Sequence, residues 1–200
     1  GEASIQLSHN GQDYVESGHT FSYRASPRLL ALTPSFGGDL GGKTVYISGE
    51  NFVDTPTLCR FGTSLVNAIY ISPTLLSCVT PTNVIGTIPI SITMNGVDFI
   101  SNSTLQYESI KLPQLESMEP TVGVVNGNTT VVLTTTALHE DKPLACHFDD
   151  RIVMASYLSS NSVSCAVPTS GPAGVVNVSL SIDDERYLAG GLNTMEFTYV

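Results

Sequence analysis

The sequence predicts an all-β protein built from two-layered β-sandwiches. Short segments alternate apolar and polar residues, which is the period of a strand with one buried face. Gly, Pro, Asn and Ser separate these segments, as turn residues do. No segment carries the periodicity of an amphipathic helix. Together these patterns predict strands throughout and helices nowhere.

A hairpin that occurs in three copies is the clearest internal repeat. Each copy is an alternating strand, a turn and a second strand that ends in Tyr. Asn-Gly follows the first strand in two copies, which predicts a tight two-residue turn. The copies are Ile5–Tyr14 with Thr20–Tyr23, Ile90–Phe99 with Thr104–Tyr107, and Val178–Tyr187 with Met195–Tyr199.

The repeat also predicts the domain boundaries. After the first two hairpins an apolar strand runs into a proline, at Leu29–Pro34 and Leu115–Pro120. We therefore expect the final hairpin of a preceding domain at 1–26 and complete domains at 28–108 and 113–200. The linkers are short and contain proline, which restricts φ. We expect end-to-end packing with limited swing, forming a rod.

The alternation places the individual strands. In the first complete domain we expect them near 29–33, 44–48, 57–61, 65–71, 75–79, 87–94 and 103–107. In the second we expect them near 115–119, 130–135, 144–148, 152–158, 162–166, 175–182 and 195–199. The glycine-rich stretch Gly37–Gly42 lacks the Lys-Ser/Thr ending of a phosphate-binding loop, so we expect a turn there.

The phrase Leu32–Phe52 carries a family resemblance. A strand ends at Pro34, a glycine-rich turn follows, residues alternate from Val45, and Gly49–Phe52 forms a bend with an aromatic plug. This order of parts resembles the opening of an IPT/TIG domain, which implies an immunoglobulin-like β-sandwich. In the second domain Thr134–Leu138 stands in place of the bend, so we expect a local difference there within the same fold.

Each complete domain contains two cysteines with the same spacing and similar neighbours. An even number, two to a domain, predicts one intradomain disulfide in each. The resemblance implies the same, because IPT/TIG domains similar to those of plexins and of the hepatocyte-growth-factor receptor carry a cysteine pair here. Four buried free thiols are the alternative. The four residues are Cys59, Cys78, Cys146 and Cys165.

Metal and catalytic sites are not expected, and neither is a cofactor. The cysteines lack the close spacing of zinc ligands. His147 follows Cys146 directly and would point to the opposite face of a strand. We expect the histidines at the surface. The acidic clusters at Glu140-Asp141, Asp149-Asp150 and Asp183–Glu185 are interpreted as solvated turns, with a calcium site as the alternative.

Disulfides and glycosylation acceptor motifs together predict an extracellular or cell-surface location. Disulfides persist in oxidising compartments. The Asn-x-Ser/Thr motif occurs at Asn102, Asn128 and Asn177, and we expect all three side chains at exposed positions. Asn102 and Asn128 are assigned to turns, and Asn177 to the outer face of a strand.

Charge excludes several classes of function. The net charge is −10 with eight Lys and Arg. A nucleic-acid binder needs a basic surface, and an anionic membrane would repel this chain. No apolar run is long enough to cross a bilayer, so direct membrane insertion is not expected. The sequence starts within a pattern and shows no signal segment, so we expect a piece of a longer protein.

These observations favour a non-enzymatic extracellular rod that acts in adhesion, reception or fibrous assembly. Its partners would be proteins, namely neighbouring domains of the same polypeptide or further copies in a fibre. The alternatives are the stalk of a plexin-like receptor and an accessory domain of a secreted carbohydrate-active enzyme, which the absence of Trp disfavours. The Rel-type DNA-binding use of this fold conflicts with the acidic charge. The hairpin at 1–26 could also be completed by a strand from a neighbouring chain.

Overall fold

The computed structural model describes residues 1–136, 138–169, 173–182 and 194–200. Within these ranges every regular element is a β-strand, so there is also no helix that could span a membrane. The strands form an N-terminal hairpin followed by two β-sandwiches, each with its own buried core.

The N-terminal hairpin consists of β1 (Glu2–Leu7) and β2 (Val15–Ser22), paired antiparallel as a separate sheet. Its two ends are tied by hydrogen bonds between the backbones of Gly1 and Tyr23. Ala3 lies opposite Phe21, and Leu7 lies opposite Val15. These residues share one face of the sheet, so the hairpin has an apolar face.

The first sandwich contains eight strands. These are β3 (Arg28–Thr33), β4 (Phe36–Gly38), β5 (Thr44–Glu50), β6 (Leu58–Phe61), β7 (Ser64–Ser72), β8 (Leu75–Val79), β9 (Gly86–Thr93) and β10 (Ile100–Ile110). One layer is β3-β5-β8, and the other is β6-β9-β10-β4. Strand β7 joins them, because its first half pairs with β6 and its second half with β8.

The second sandwich repeats this plan. Its strands are β11 (Leu115–Glu119), β12 (Val122–Gly123), β13 (Thr130–Thr135), β14 (Leu144–Phe148), β15 (Arg151–Met154), β16 (Ser156–Ser159), β17 (Ser162–Ala166), β18 (Gly174–Ile182) and β19 (Met195–Tyr199). One layer is β11-β13-β17-β16, and the other is β12-β19-β18-β14-β15.

Each core is formed by the inward side chains of both layers. In the first sandwich the fully buried side chains include Val45, Ile47, Phe61, Leu76, Ile90 and Ile92. In the second they include Val131, Leu133, Phe148, Val178, Ile182 and Phe197. The predicted alternation therefore corresponds to the burial observed along these strands.

The strand positions follow the sequence prediction with identifiable exceptions. The segment predicted at 152–158 is divided at Ala155, whose N–H donates to Leu144 O at 2.9 Å and leaves the ladder. Strands β4 and β12 were not predicted, and Gly37-Gly38 lies in β4 rather than in a turn. Both are short parallel strands that pair with the end of the last strand of their own sandwich.

The prediction of a two-residue turn at Asn-Gly is wrong. Strand β1 ends at Leu7 and β2 begins at Val15, so the connection spans residues 8–14. Asn10 Oδ1 accepts hydrogen bonds from the N–H groups of Gln12 and Asp13 at 2.9 and 2.8 Å. This asparagine side chain replaces the cross-strand hydrogen bond of a tight turn.

The bend of the first sandwich is preserved in the second despite its different sequence. Phe52 is 2% exposed, and its N–H donates to Pro73 O at 2.9 Å. Leu138 is 7% exposed, and its N–H donates to Ser160 O at 2.7 Å. Leucine therefore takes the place of the aromatic plug, and the bend does not require the Gly-x-Asn-Phe phrase.

Candidate functional sites

The cysteines form one disulfide in each sandwich. Cys59 of β6 is bonded to Cys78 of β8, and Cys146 of β14 is bonded to Cys165 of β17. The Cα–Cα distances are 6.5 and 6.3 Å, and both pairs are buried in the core. Because the bonded strands belong to opposite layers, each disulfide holds the two layers of its sandwich together.

His147 is buried, contrary to the expectation that the histidines lie at the surface. It is 2% exposed, and its Nε2 lies 2.7 Å from Ser181 Oγ. It does point away from the core cysteine beside it, as the strand alternation predicts. The prediction of surface exposure is wrong because β14 is an inner strand, and His147 lies between Ile152 of β15 and Ser179 of β18.

The corresponding site of the first sandwich also pairs a basic residue with serine. Arg60 lies opposite Ser91 in the register, as His147 lies opposite Ser179. Arg60 Nε donates to Ser91 Oγ at 2.9 Å, and its guanidinium carbon lies 3.9 Å from the centre of the Phe99 ring. Arg60 therefore bonds the serine that lies opposite it, whereas His147 lies opposite Ser179 and contacts Ser181.

The glycosylation motifs lie in different environments. Asn128 is exposed in the loop before β13, and Asn177 is exposed on β18. Asn102 is half-buried on β10 rather than in an exposed turn. Its Nδ2 donates to Leu29 O at 3.0 Å, and its Oδ1 accepts from Thr104 Oγ1 at 2.8 Å. Asn102 is therefore the least accessible of the three acceptors.

The acidic clusters that the structure describes, at Glu140-Asp141 and Asp149-Asp150, do not form a metal site. Asp149 lies in the turn after β14, and its Oδ1 accepts a hydrogen bond from the N–H of Asn177 at 3.0 Å. Within the described residues no group of three or more His, Cys, Asp or Glu is placed to hold a metal. The cluster Asp183–Glu185 lies outside the described residues.

The joint between the sandwiches has its own packing. Ile110, at the end of β10, is 4% exposed and belongs to the core of the second sandwich, and Phe36 and Leu112 pack against that core. The linker is held to the first sandwich by Asp39. Its N–H donates to Ile110 O at 2.9 Å, and its Oδ1 accepts from Leu112 N at 3.2 Å.

Lys142 connects the two sandwiches across this joint. Its Nζ lies 2.5 Å from Glu108 Oε2 and 4.8 Å from the centre of the Phe36 ring, both in the first sandwich. A second bridge joins Nζ to Asp141 at 2.9 Å. The Lys142 side chain is only 9% exposed. Since Lys142 and Asp141 belong to the second sandwich, the contacts with Glu108 and Phe36 are the ones that hold one sandwich against the other.

The charges at the joint shift each other's titration. Hydrogen bonds to Glu108 and then to Asp141 raise the pKa of Lys142 above its ordinary value of 10.5. The hydrogen bond from Lys142 lowers the pKa of Asp141 below its ordinary value of 3.8. Both shifts favour the charged forms, so the bridges persist over a wide range of pH.

The N-terminal hairpin and the hairpin of the first sandwich have the same loop. Asn10 Nδ2 donates to Asp13 Oδ2 at 2.7 Å, and Asn95 Nδ2 donates to Asp98 Oδ2 at 2.8 Å. Asn95 Oδ1 also accepts from the N–H groups of Val97 and Asp98. The loop repeats as a hydrogen-bonded structure as well as a sequence.

Paired layers, an inter-layer disulfide and a repeated strand order define a tandem immunoglobulin-like β-sandwich protein. The family model of the IPT/TIG domain matches residues 27–109 and 113–199. The chain therefore belongs to the IPT/TIG family. The predicted fold class, tandem sandwiches with one disulfide each, is confirmed.

Individual relatives are plexins. Plexin-A2 of Homo sapiens is 24% identical over 131 residues, which cover 61% of this chain and 6% of that protein. Plexin-A2 of Mus musculus matches with the same identity and coverage. The extracellular region of plexin A4 superposes with a TM-score of 0.57 at 18% identity, covering 99% of this chain and 18% of that chain. The chain spans about 6% of the length of the curated relatives it matches.

Proposed function

We propose that this chain is a non-enzymatic structural segment of a larger extracellular or cell-surface protein, in which tandem IPT/TIG domains act as a stiff spacer. The joint at Lys142 carries this proposal. A flexible connection would leave the linker solvated, whereas here Ile110 is buried and the linker is hydrogen-bonded to Asp39. Domains move relative to each other unless their interface is apolar and extensive, and the burial of Ile110, with Phe36 and Leu112 against the same core, supports a stiff joint.

Small-angle X-ray scattering tests the spacer. Lys142→Met keeps the apolar stem and removes the ammonium group, and Lys111→Met changes an exposed lysine of the linker as a matched control. We expect the native chain and the control to share one elongated particle with a defined maximum dimension. Lys142→Met should broaden the distribution of distances. A native chain that already samples many orientations would contradict the proposal.

The stalk of a plexin-like receptor is the second candidate, and the match to plexin-A2 favours it. The IPT/TIG domain is a non-catalytic fold, so either role is one of support or binding. The neighbouring modules of the intact polypeptide distinguish the two. A cysteine-rich plexin-like module beside this segment would support the receptor, and further IPT/TIG domains alone would support the structural rod.

We also propose that the hairpin at 1–26 is the last hairpin of a preceding IPT/TIG domain. Its loop matches that of residues 93–98, and its apolar face corresponds to a buried one. Leu7 and Tyr23 are each 66% exposed, while their counterparts Ile92 and Tyr107 are 0 and 2% exposed. In the first sandwich the opposite layer, β3-β5-β8, covers this face. We expect an equivalent layer of the preceding domain to cover the hairpin.

Hydrogen exchange tests the hairpin proposal. A polypeptide extended by its natural preceding residues should protect the amides of β1 and β2, with little change in the first sandwich. If protection appears only at high concentration of the unextended chain, a neighbouring chain supplies the missing layer by strand addition. That result would replace the proposal.

We propose N-glycosylation at Asn102, Asn128 and Asn177. The occupancy of each site can be measured on secreted protein. The exposed positions of Asn128 and Asn177 support modification there. Intact mass before and after enzymatic release of N-glycans, with Asn→Gln variants one at a time, measures each site. We expect the lowest occupancy at Asn102, because its amide is half-buried and donates to Leu29 O.

A further inference from the structure

The two sandwiches end in the same arrangement of strands. In each, a short parallel strand pairs with the end of the last strand, β4 with β10 and β12 with β19. Two backbone hydrogen bonds recur at each end, at 2.8 to 2.9 Å, so the residues that form them are equivalent in position. The matching bonds are Glu108 N–H to Ser35 O with Thr198 N–H to Thr121 O, and Asp39 N–H to Ile110 O with Val125 N–H to Val200 O.

In the first sandwich this end forms the joint, and the second sandwich covers it. Ile110 is buried in the core of the second sandwich, and Phe36 packs against that core. Phe36 begins β4 just as Val122 begins β12. The structure therefore shows what covers the end of one sandwich, namely another sandwich packed end to end.

The equivalent residues of the second sandwich form an exposed apolar surface. Val122 stands in the place of Phe36, and Val124 stands in the place of Gly38, two residues further on. Val122 and Val124 are 48 and 64% exposed, whereas Phe36 is half-buried and Gly38 is buried. Together with Val200, which is equivalent to Ile110, these two valines are named the exit surface.

The exit surface has neutral groups where the joint has charged and aromatic ones. At the joint, Lys142 contacts the carboxylate of Glu108 and the ring of Phe36. The equivalent positions hold Thr198 and Val122, which offer a cation neither a carboxylate nor an aromatic face. A lysine placed against them would lose its hydration without gaining a partner. The exit surface therefore favours a covering sandwich with an apolar side chain at the position of Lys142.

We propose that the exit surface is the docking surface for a further β-sandwich of the same polypeptide, which presents an apolar residue in place of Lys142. The inference rests on the proposed spacer, because it takes the joint as a contact that recurs along the polypeptide. Exposed apolar surfaces mark interaction sites, and the covered joint identifies the partner. The second joint would be held by apolar packing, without the ion pair of the first.

Hydrogen exchange tests the proposal by comparing this chain with a polypeptide extended by its natural following residues. We expect exchange at the Val125 amide to slow at least about tenfold in the extended polypeptide, because a covered exit surface opens less often. A short Gly-Ser tail after Val200 controls for the added peptide bond and should leave exchange unchanged. The Asp39 amide, which donates to Ile110 O at the covered joint, reports on the first joint in the same sample.

Val122→Asp in the extended polypeptide tests the exit surface itself. A carboxylate buried without a partner opposes docking, so exchange at Val125 should return to the rate seen in the unextended chain. Ile152→Asp is the matched control. Ile152 is 55% exposed on β15, at the opposite edge of the layer that contains β12, so this variant should keep the protection. Circular dichroism checks that both variants fold.

The outcomes separate the exit surface from the spacer. Equal exchange at Val125 with and without the following residues overturns the proposal. Protection that persists in Val122→Asp, or that is lost equally in Ile152→Asp, overturns it as well. Fast exchange at Asp39 would instead contradict the stiff spacer, because that amide reports only on the first joint.

Discussion

The N-terminal hairpin and the hairpin of the first sandwich have related sequences and the same loop, but opposite environments. Ile5 and Leu7 are 39 and 66% exposed, whereas the corresponding Ile90 and Ile92 are 1 and 0% exposed. The alternating pattern therefore specifies which face needs a cover, and a second layer has to supply it. Local sequence determines the strand and its loop, while the fold determines the burial.

The largest expected difference is between Ile92→Ala and Leu7→Ala. Removing a fully buried isoleucine loses transfer free energy and leaves a cavity, at a cost of about 2–5 kcal/mol. Removing the exposed leucine should change the free energy of unfolding by less than about 0.5 kcal/mol. Urea unfolding monitored by circular dichroism measures both. Similar costs would show that the hairpin face is covered in solution.

Gly37→Ala tests the packing of the first sandwich, for which the hairpin has no equivalent. An added Cβ would overlap Tyr107 Oη and lie 2.9 Å from Lys43 Cδ, so β4 would have to move away from these side chains. Overpacking of this kind costs about 1–3 kcal/mol. Thermal unfolding measures the loss. A neutral result would show that β4 shifts freely.

Substitution of the two loop asparagines should give a smaller difference. Asn95→Ala removes the hydrogen bonds from the N–H groups of Val97 and Asp98 and the bond to the Asp98 carboxylate. We expect the sandwich to lose about 1 kcal/mol of its free energy of unfolding. Asn10→Ala breaks the same bonds in the hairpin, which is not part of a buried core, so global unfolding should not change. Denaturant titration of both variants measures this. An equal loss in both would mean that the hairpin unfolds together with the sandwich.

The smallest expected effect is that of pH on the joint, which the N-terminal hairpin lacks. The lowered pKa of Asp141 concerns a bridge within the second sandwich, whose contribution is present above 3.8 and lost as the pH falls through the folded value. The raised pKa of Lys142 makes its contribution present below 10.5 and lost as the pH rises through the folded value.

Scattering profiles should therefore stay constant up to pH 10.5 and broaden as the pH rises through the folded pKa of Lys142. The control is Lys142→Met, which should show no alkaline transition of its own at the joint. An alkaline change of equal size in the variant would assign the effect to other groups.

Much of the fold could be predicted because it rests on local patterns. Alternation located the long strands, and the even number of cysteines located both disulfides. Strands β4 and β12 could not be found, since they are short segments and pair only through the end of a distant strand. The Asn-Gly turn was misassigned because its hydrogen bonds use a side chain.

The contacts at the joint could not be predicted from the sequence, for a different reason. Lys142 and Phe36 belong to different sandwiches and carry no motif in common. Their contact arises only when the linker at Ile110 enters the core of the second sandwich. The short linkers led us to expect limited swing, but the residues that make contact across the joint depend on tertiary packing.

The inter-layer disulfides limit how far this chain can be stretched. The residues between the two cysteines, a separation of 19 in each sandwich, cannot lengthen when the ends are pulled apart. At about 3.3–3.6 Å per extended residue, each disulfide prevents roughly 60 Å of chain from being extended. A pulled sandwich would therefore extend by about this much less than its full contour length and retain a closed loop between its two cysteines.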